Sequence, residues 1–193
     1  MAEGITTSAY RQSKLHPHKL ALYVGIASMV MLFVAWSSAY LVRKAAGNWL
    51  EFPLPSMFYV STVVILLSSA TLQLAHHFFS KGKEKPYKIL LLSTLVLGVG
   101  FLYTQYSGWQ EMLALGITMD GNPSGSFVYV ISGAHAAHLI GGIAALGLAL
   151  VHAFALPFKP TARRKVRLEL TLTYWHFVDL LWVYLILFFV LQS

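Results

Sequence analysis

The residues that could do chemistry lie inside apolar surroundings. His135 and His138 stand three apart, and so do His176 and Asp179. Side chains three apart share a helix face, so each pair presents two ionisable groups to one neighbour. Asp179 is the only acid within an apolar stretch. A carboxylate in hydrocarbon is costly, so it must face other helices, find a partner or take up a proton. Intramembrane histidines raise three chemistries: haem ligation, metal ligation and proton relay. Haem needs two imidazoles facing each other at one depth. Counted along the helices below at 1.5 Å per residue, Asp179 lies about 12 Å, His138 about 14 Å and His176 about 8 Å from the same membrane face. His138 thus has no imidazole at its own level on another helix, whereas Asp179 is level with it. The two polar faces are expected to meet, and removing Asp179 is expected to strand a buried histidine. Packing between helices competes with a proton relay through Asp179 and the histidines. His76, His77 and His152 fall near helix ends, without a carboxylate at ligand spacing.

The elements that must position these groups are membrane spans. Charged residues make up 11% of the chain and hydrophobic ones 57%, against about 25% charged in a soluble domain. Crossing roughly 30 Å of hydrocarbon takes about 20 apolar residues. The stretches 20–42, 55–79, 88–107, 127–156 and 171–191 meet that test. None alternates apolar with polar residues as a barrel strand would. The fold class expected is therefore all-α: a polytopic bundle of five transmembrane helices, residues 20–193 as one domain behind a polar tail over 1–19. Breakers fall between the spans at Gly47, Pro53 and Pro55, at Gly82 and Pro86, from Gly116 to Gly125, and at Pro157 and Pro160.

Basic residues set the orientation. Arg11, Lys14, Lys19, Lys81, Lys83, Lys85, Lys88, Lys159, Arg163, Arg164, Lys165 and Arg167 fall on one side, with Arg43 and Lys44 opposite. The N-terminus is expected in the cytoplasm and the C-terminus outside. The net charge of +7 then reports topology and attraction to anionic lipid, with Lys81, Lys83, Lys85, Arg163, Arg164 and Arg167 as head-group candidates. No nucleic-acid partner is expected. The apolar start at residue 20 is longer than a signal-peptide core and is followed by Arg43 and Lys44, which argues for an uncleaved first span. The chain has no cysteine, which excludes thiolate metal sites and thiolate nucleophiles. A phosphate-cradling glycine loop, a serine–histidine–acid set and the broken helices of transporters are missing from the sequence. Small residues along 133–147, and Ser61, Ser68, Ser69 and Ala70, mark close helix approach in which a neighbour's backbone is expected. Met29 and Met31 are expected to fill packing gaps, and the tryptophans to serve as belt or packing residues.

The run Leu67 to Thr71, continuing to Ala75-His76-His77, the residues Gln105, Ser107 and Glu111, and the helix Gly133-Ala134-His135-Ala136-Ala137-His138-Leu139-Ile140-Gly141-Gly142 resemble subunit III of cytochrome c oxidase. Most specific is Tyr174-Trp175-His176-Phe177-Val178-Asp179 followed by Trp182, similar to that family's last helix. The resemblance covers roughly residues 20 to 191. It implies a subunit of a haem–copper terminal oxidase, in a bacterial cytoplasmic membrane, without a catalytic centre, haem, copper or other metal of its own. Haem and copper belong to partner subunits, with subunits I and II as the expected neighbours and other respiratory subunits as further ones. Assembly, bound phospholipid and proton uptake by the catalytic subunit are the implied roles. His76, His77, Glu111, His135, His138, His176 and Asp179 are the matched polar residues. Longer members have seven helices enclosing a lipid-filled cleft, for which a neighbour would have to supply the first pair. The membrane-embedded Glu of many members has no counterpart here, where Ser28 and Met29 stand closest. A quinol oxidase subunit III and the related accessory protein of nitric oxide reductase stay open beside this reading, with an independent b-type cytochrome or transporter as the contrasting class.

Overall fold

A computed structural model describes residues 17–158 and 161–192; Arg11, Lys14, Lys159 and Pro160, named above, lie outside them. The described residues form five α-helices and no strand. They are α1 (Pro17–Ala45), α2 (Ser56–Ser80), α3 (Glu84–Ala114), α4 (Pro123–Ala155) and α5 (Ala162–Gln192), each long and apolar enough to cross a membrane.

The helices outrun the apolar spans. At 25 to 33 residues they measure about 37 to 50 Å, against roughly 30 Å of hydrocarbon. Once the backbone is hydrogen-bonded along a helix, polar side chains reaching the head groups do not stop it. The basic run 163–167, expected as connection, therefore forms the first turns of α5. Pro86 was expected to separate two helices, yet it sits in the first turn of α3, where its missing N–H would have no helical acceptor anyway.

The stops are set locally. Gly116, with φ +77°, ends α3: its N–H bonds Leu113 O at 3.0 Å and that of Ile117 bonds Met112 O at 2.9 Å. Gly82, with φ +71°, repeats the pattern after α2. Both are left-handed caps of the kind that glycine adopts without steric cost. Asn122 caps α4 by accepting from Ser124 N at 3.0 Å, with Pro123 at the first helical position. Its side chain also bonds Leu50 N and Asn48 O, which ties the α1–α2 connection to the α3–α4 connection.

Helices α2, α3, α4 and α5 close a ring in that order, while α1 leans on α4 and α5 alone. Two tryptophans of α5 fill the ring. Trp182 packs on Phe58 of α2, Phe101 of α3 and His135 of α4, at ring separations of 5.7, 5.2 and 5.1 Å. Its indole N–H donates to Thr62 Oγ1 at 3.0 Å. Two turns away, Trp175 lies against Gly98 of α3 and Gly142 of α4 and donates to Ser68 Oγ of α2 at 3.2 Å. Both indoles are fully buried. These are core residues and not belt residues, because their N–H groups find acceptors inside the bundle.

The small residues work differently from the expectation. Gly142 makes room for the rings of Tyr174 and Trp175, not for a neighbouring backbone, and Gly147 has nothing near it. The glycines pressed hardest by a neighbouring helix are Gly98 and Gly108 of α3, where an added Cβ would come within 2.7 Å of Trp175 and 2.5 Å of Phe58. Met31 is 74% exposed, so it fills no gap within this chain.

Candidate functional site

Asp179 sits on α5 between the two buried tryptophans, four residues after Trp175 and three before Trp182. That spacing points all three inward, and Asp179 is 3% exposed. The pairing of Trp175 with Gly142 and of Trp182 with His135 puts α4 and α5 in antiparallel register, with residue 179 level with residue 138.

The side chains at that level face different neighbours. His138 donates from Nδ1 to its own helix at Ala134 O, 2.7 Å away, and packs its ring on Phe33 of α1 at 5.7 Å. His135 is fully buried between Phe101 and Trp182, and neither of its nitrogens has a hydrogen-bond partner among the described residues. His176 turns to α2, where Nδ1 meets Ser69 Oγ at 2.5 Å and Nε2 meets Gln73 Oε1 at 3.1 Å. Asp179 approaches Ser69 without reaching hydrogen-bond geometry. Among the described residues, no hydrogen bond joins the α4 pair to the α5 pair. The reason is angular. Residues on facing helices can share a depth while their Cα–Cβ bonds point to different neighbours.

One consequence is measurable. The expectation that removing Asp179 strands a histidine finds no hydrogen bond to rest on. Asp179→Asn keeps the side chain's shape and removes its ionisation. It should move the unfolding free energy of the detergent-solubilised chain by less than about 1 kcal/mol, the scale of a single net hydrogen bond. A thermal melt showing a loss of several kcal/mol would reveal an ionic partner.

The remaining polar residues tie helices together. Gln105 of α3 donates to Ser61 of α2 at 2.9 Å, and Thr71 of α2 meets Thr94 of α3 at 2.9 Å. Trp109 of α3 donates to Ser132 of α4 at 3.0 Å. The Glu111 carboxylate accepts from Ser56 Oγ at 3.1 Å, at the N-terminus of α2, where the helix dipole favours an anion. His77 packs on Phe78, and His76 Nε2 is buried without a hydrogen-bond partner.

The basic residues gather at one end. There Lys19 of α1 pairs with Glu169 of α5 at 2.9 Å, and Lys88 pairs with Glu84 at 2.6 Å. Lys81, Lys83 and Lys85 are exposed beside them. Arg164 and Arg167 line a cavity of about 540 Å³ whose walls include Phe79, Tyr87, His152 and Leu168. Arg164 also donates to Pro157 O at 2.8 Å. Arg163 is exposed and is not among the cavity's lining residues. At the opposite end Lys44 donates to Gln192 O at 2.5 Å. Among the described residues, no group of three or more His, Asp or Glu side chains could hold a metal ion.

A sequence model of cytochrome c oxidase subunit III matches residues 17–193, which takes in every helix of the bundle. The chain belongs to the cytochrome c oxidase subunit III family. Among its relatives is a probable cytochrome c oxidase subunit 3 of Nocardia farcinica, 26% identical over 185 residues that cover 93% of this chain and 90% of that protein. A probable cytochrome c oxidase subunit 3 of Mycobacterium tuberculosis is 25% identical over the same shares. The rabbit (Oryctolagus cuniculus) cytochrome c oxidase subunit 3 is 32% identical over 138 residues, 72% of this chain, which spans about half the rabbit protein's length.

Within this family member, Gly98, Gly108, Gln73 and the inward aim of Trp175 and Trp182 escaped the sequence reading. The i, i+4, i+7 spacing of Trp175, Asp179 and Trp182 was the available signal for a buried face. The glycines carried none, since a glycine in an apolar helix looks the same whether or not a ring lies on it.

Proposed function

We propose that this chain is the non-catalytic subunit III of a bacterial haem–copper terminal oxidase, packed beside the catalytic subunit in the cytoplasmic membrane. The observation that carries this is the family match across the whole five-helix bundle. The gathering of basic side chains at one end supports a cytoplasmic N-terminus, with 20–193 acting as one membrane domain behind a short polar tail. Haem and copper reside on the partner subunits, with subunits I and II as neighbours. This chain supplies a rigid helical surface for assembly, a site for phospholipid and support for proton uptake by the catalytic subunit. His135, His138 and Asp179 act as interior packing groups, His176 ties α5 to α2 through Ser69 and Gln73, and His76, His77 and Glu111 secure the helix ends.

Purification in mild detergent through a tag on this chain tests the reading. A larger partner bearing an a-type or o-type haem band should co-purify, while the chain alone is colourless. Stoichiometric haem on the isolated chain would overturn it. A copper-binding partner subunit in the same preparation would identify cytochrome c as donor, and its absence would favour quinol.

The lipid role has its own test. Anionic lipid suits the basic cavity, because each arginine near an anionic head group is worth about 1 kcal/mol. Neutralising both residues in Arg164→Gln/Arg167→Gln should lower the anionic phospholipid retained per chain by roughly an order of magnitude, as measured by mass spectrometry of the purified complex. Unchanged retention would remove these two residues from the lipid site.

A further inference from the structure

Polar side chains on the outside of this bundle mostly satisfy themselves. Exposed Ser28 and half-buried Ser93 and Ser107 donate to the carbonyls of Val24, Ile89 and Tyr103 on their own helices. Lipid-facing hydroxyls need such bonds, because hydrocarbon supplies no partner. Gln73 does not follow the pattern. It is exposed on α2, at the mouth of the α2–α5 groove. It lies seven residues before the helix end at Ser80, about 10 Å along the axis. With α2 about 37 Å long against roughly 30 Å of hydrocarbon, that leaves the amide several ångströms inside the apolar layer. Leu66 and Leu74 beside it on α2 are exposed, as is Leu180 across on α5.

The hydrogen bonds fix what Gln73 presents. Ser69 Oγ and Gln73 Oε1 flank the two nitrogens of His176. A neutral imidazole has one donor and one acceptor nitrogen. With the proton on Nε2, His176 donates to Gln73 Oε1 and accepts from the Ser69 hydroxyl, so one tautomer satisfies both bonds. The Gln73 amide is thereby held in place instead of reaching toward the head groups. Its two N–H donors enter no hydrogen bond among the described residues.

We propose that the α2–α5 groove around Ser69, Gln73 and His176 is the docking face for a transmembrane helix of the catalytic subunit, one that brings a hydrogen-bond acceptor to the Gln73 amide. This rests on the subunit reading above and adds the face and the chemistry of the contact. The occupant is a protein helix and not lipid, because acyl chains carry no acceptor at this depth. The partner group is an acceptor and not a cation, because the outward atoms are N–H donors. The position also accounts for the register: His176 and Ser69 preset the amide, so its ordering cost is met before docking.

The test uses the intact complex, purified through a tag on this chain. A photo-crosslinking residue at Ala70, exposed one turn from Gln73, should join this chain to the haem-bearing subunit. The same residue at Met31 of α1 or Leu148 of α4, both exposed, should join it far less. Gln73→Met keeps the side chain's length and removes the donors. It should weaken retention of the haem-bearing subunit through detergent washing by roughly three- to tenfold, the worth of about one buried hydrogen bond. Ala70 adducts with lipid alone or with a second copy of this chain would overturn the proposal. So would retention in Gln73→Met equal to the unmodified chain. A haem subunit that co-purifies but crosslinks only from Met31 or Leu148 overturns the docking face and leaves the subunit reading standing. No haem subunit from the unmodified chain overturns both.

Discussion

Trp182→Ala should destabilise the bundle by about 3–5 kcal/mol, the range for removing a large aromatic from a packed core. The residue touches every other member of the four-helix ring. Its ring meets Phe58, Phe101 and His135 at 5.1 to 5.7 Å, and its N–H donates to Thr62. Truncation leaves a cavity lined by two phenylalanines and an imidazole, and Thr62 loses its donor. The side chains around the gap belong to three different helices, so no single helix can shift to close it without opening another contact. In a membrane the hydrophobic effect does not drive helices together; packing and interhelical hydrogen bonds do, and Trp182 supplies both. A folded-fraction titration in mixed micelles would measure the loss. Trp182→Phe, which restores part of the ring without the N–H, should recover more than half of it. A loss under about 1 kcal/mol in the alanine variant would show that the ring's contacts do not hold the helices together.

Gly108→Val should cost about 1–3 kcal/mol by overpacking. A Cβ at residue 108 would come within 2.5 and 2.6 Å of two ring carbons of Phe58. Phe58 is fully buried and its ring also packs on Trp182, at 5.7 Å between centroids. Its ring therefore cannot move without pushing on the residue at the centre of the bundle. Side-chain branching at valine adds atoms to the same closed space. The change belongs to the α2–α3 contact, so disulfide trapping between cysteines placed on those two helices should report their separation. Gly147→Val is the matched control, because nothing lies within 4 Å of that glycine's would-be Cβ. Equal midpoints for the two variants would mean that α2 and α3 part without cost.

These two expectations also mark the boundary between what was legible in the chain and what was not. Segment length and the clustering of charge sufficed for five membrane helices, because a 30 Å apolar layer imposes its dimension on any sequence that crosses it. The motif Tyr174 to Asp179 with Trp182, together with the glycine- and histidine-rich stretch of α4, sufficed for the family. The inward aim of Asp179 follows from a cost that does not depend on its neighbours.

The partners of these residues were decided only by tertiary structure. His138 and Asp179 share a depth, which axial rise determines, yet they face α1 and α2 respectively, which depends on how each helix is rotated in the bundle. The same rotation decided between belt and packing for Trp175 and Trp182 by placing both in the core, and made Gly98 and Gly108 the tight interhelical contacts in place of the small residues of α4. It also left Gln73 at an open groove. Rise per residue is a property of one helix and can be counted along a sequence. Rotation about the axis is settled by all the packing contacts together, and no single segment contains that information.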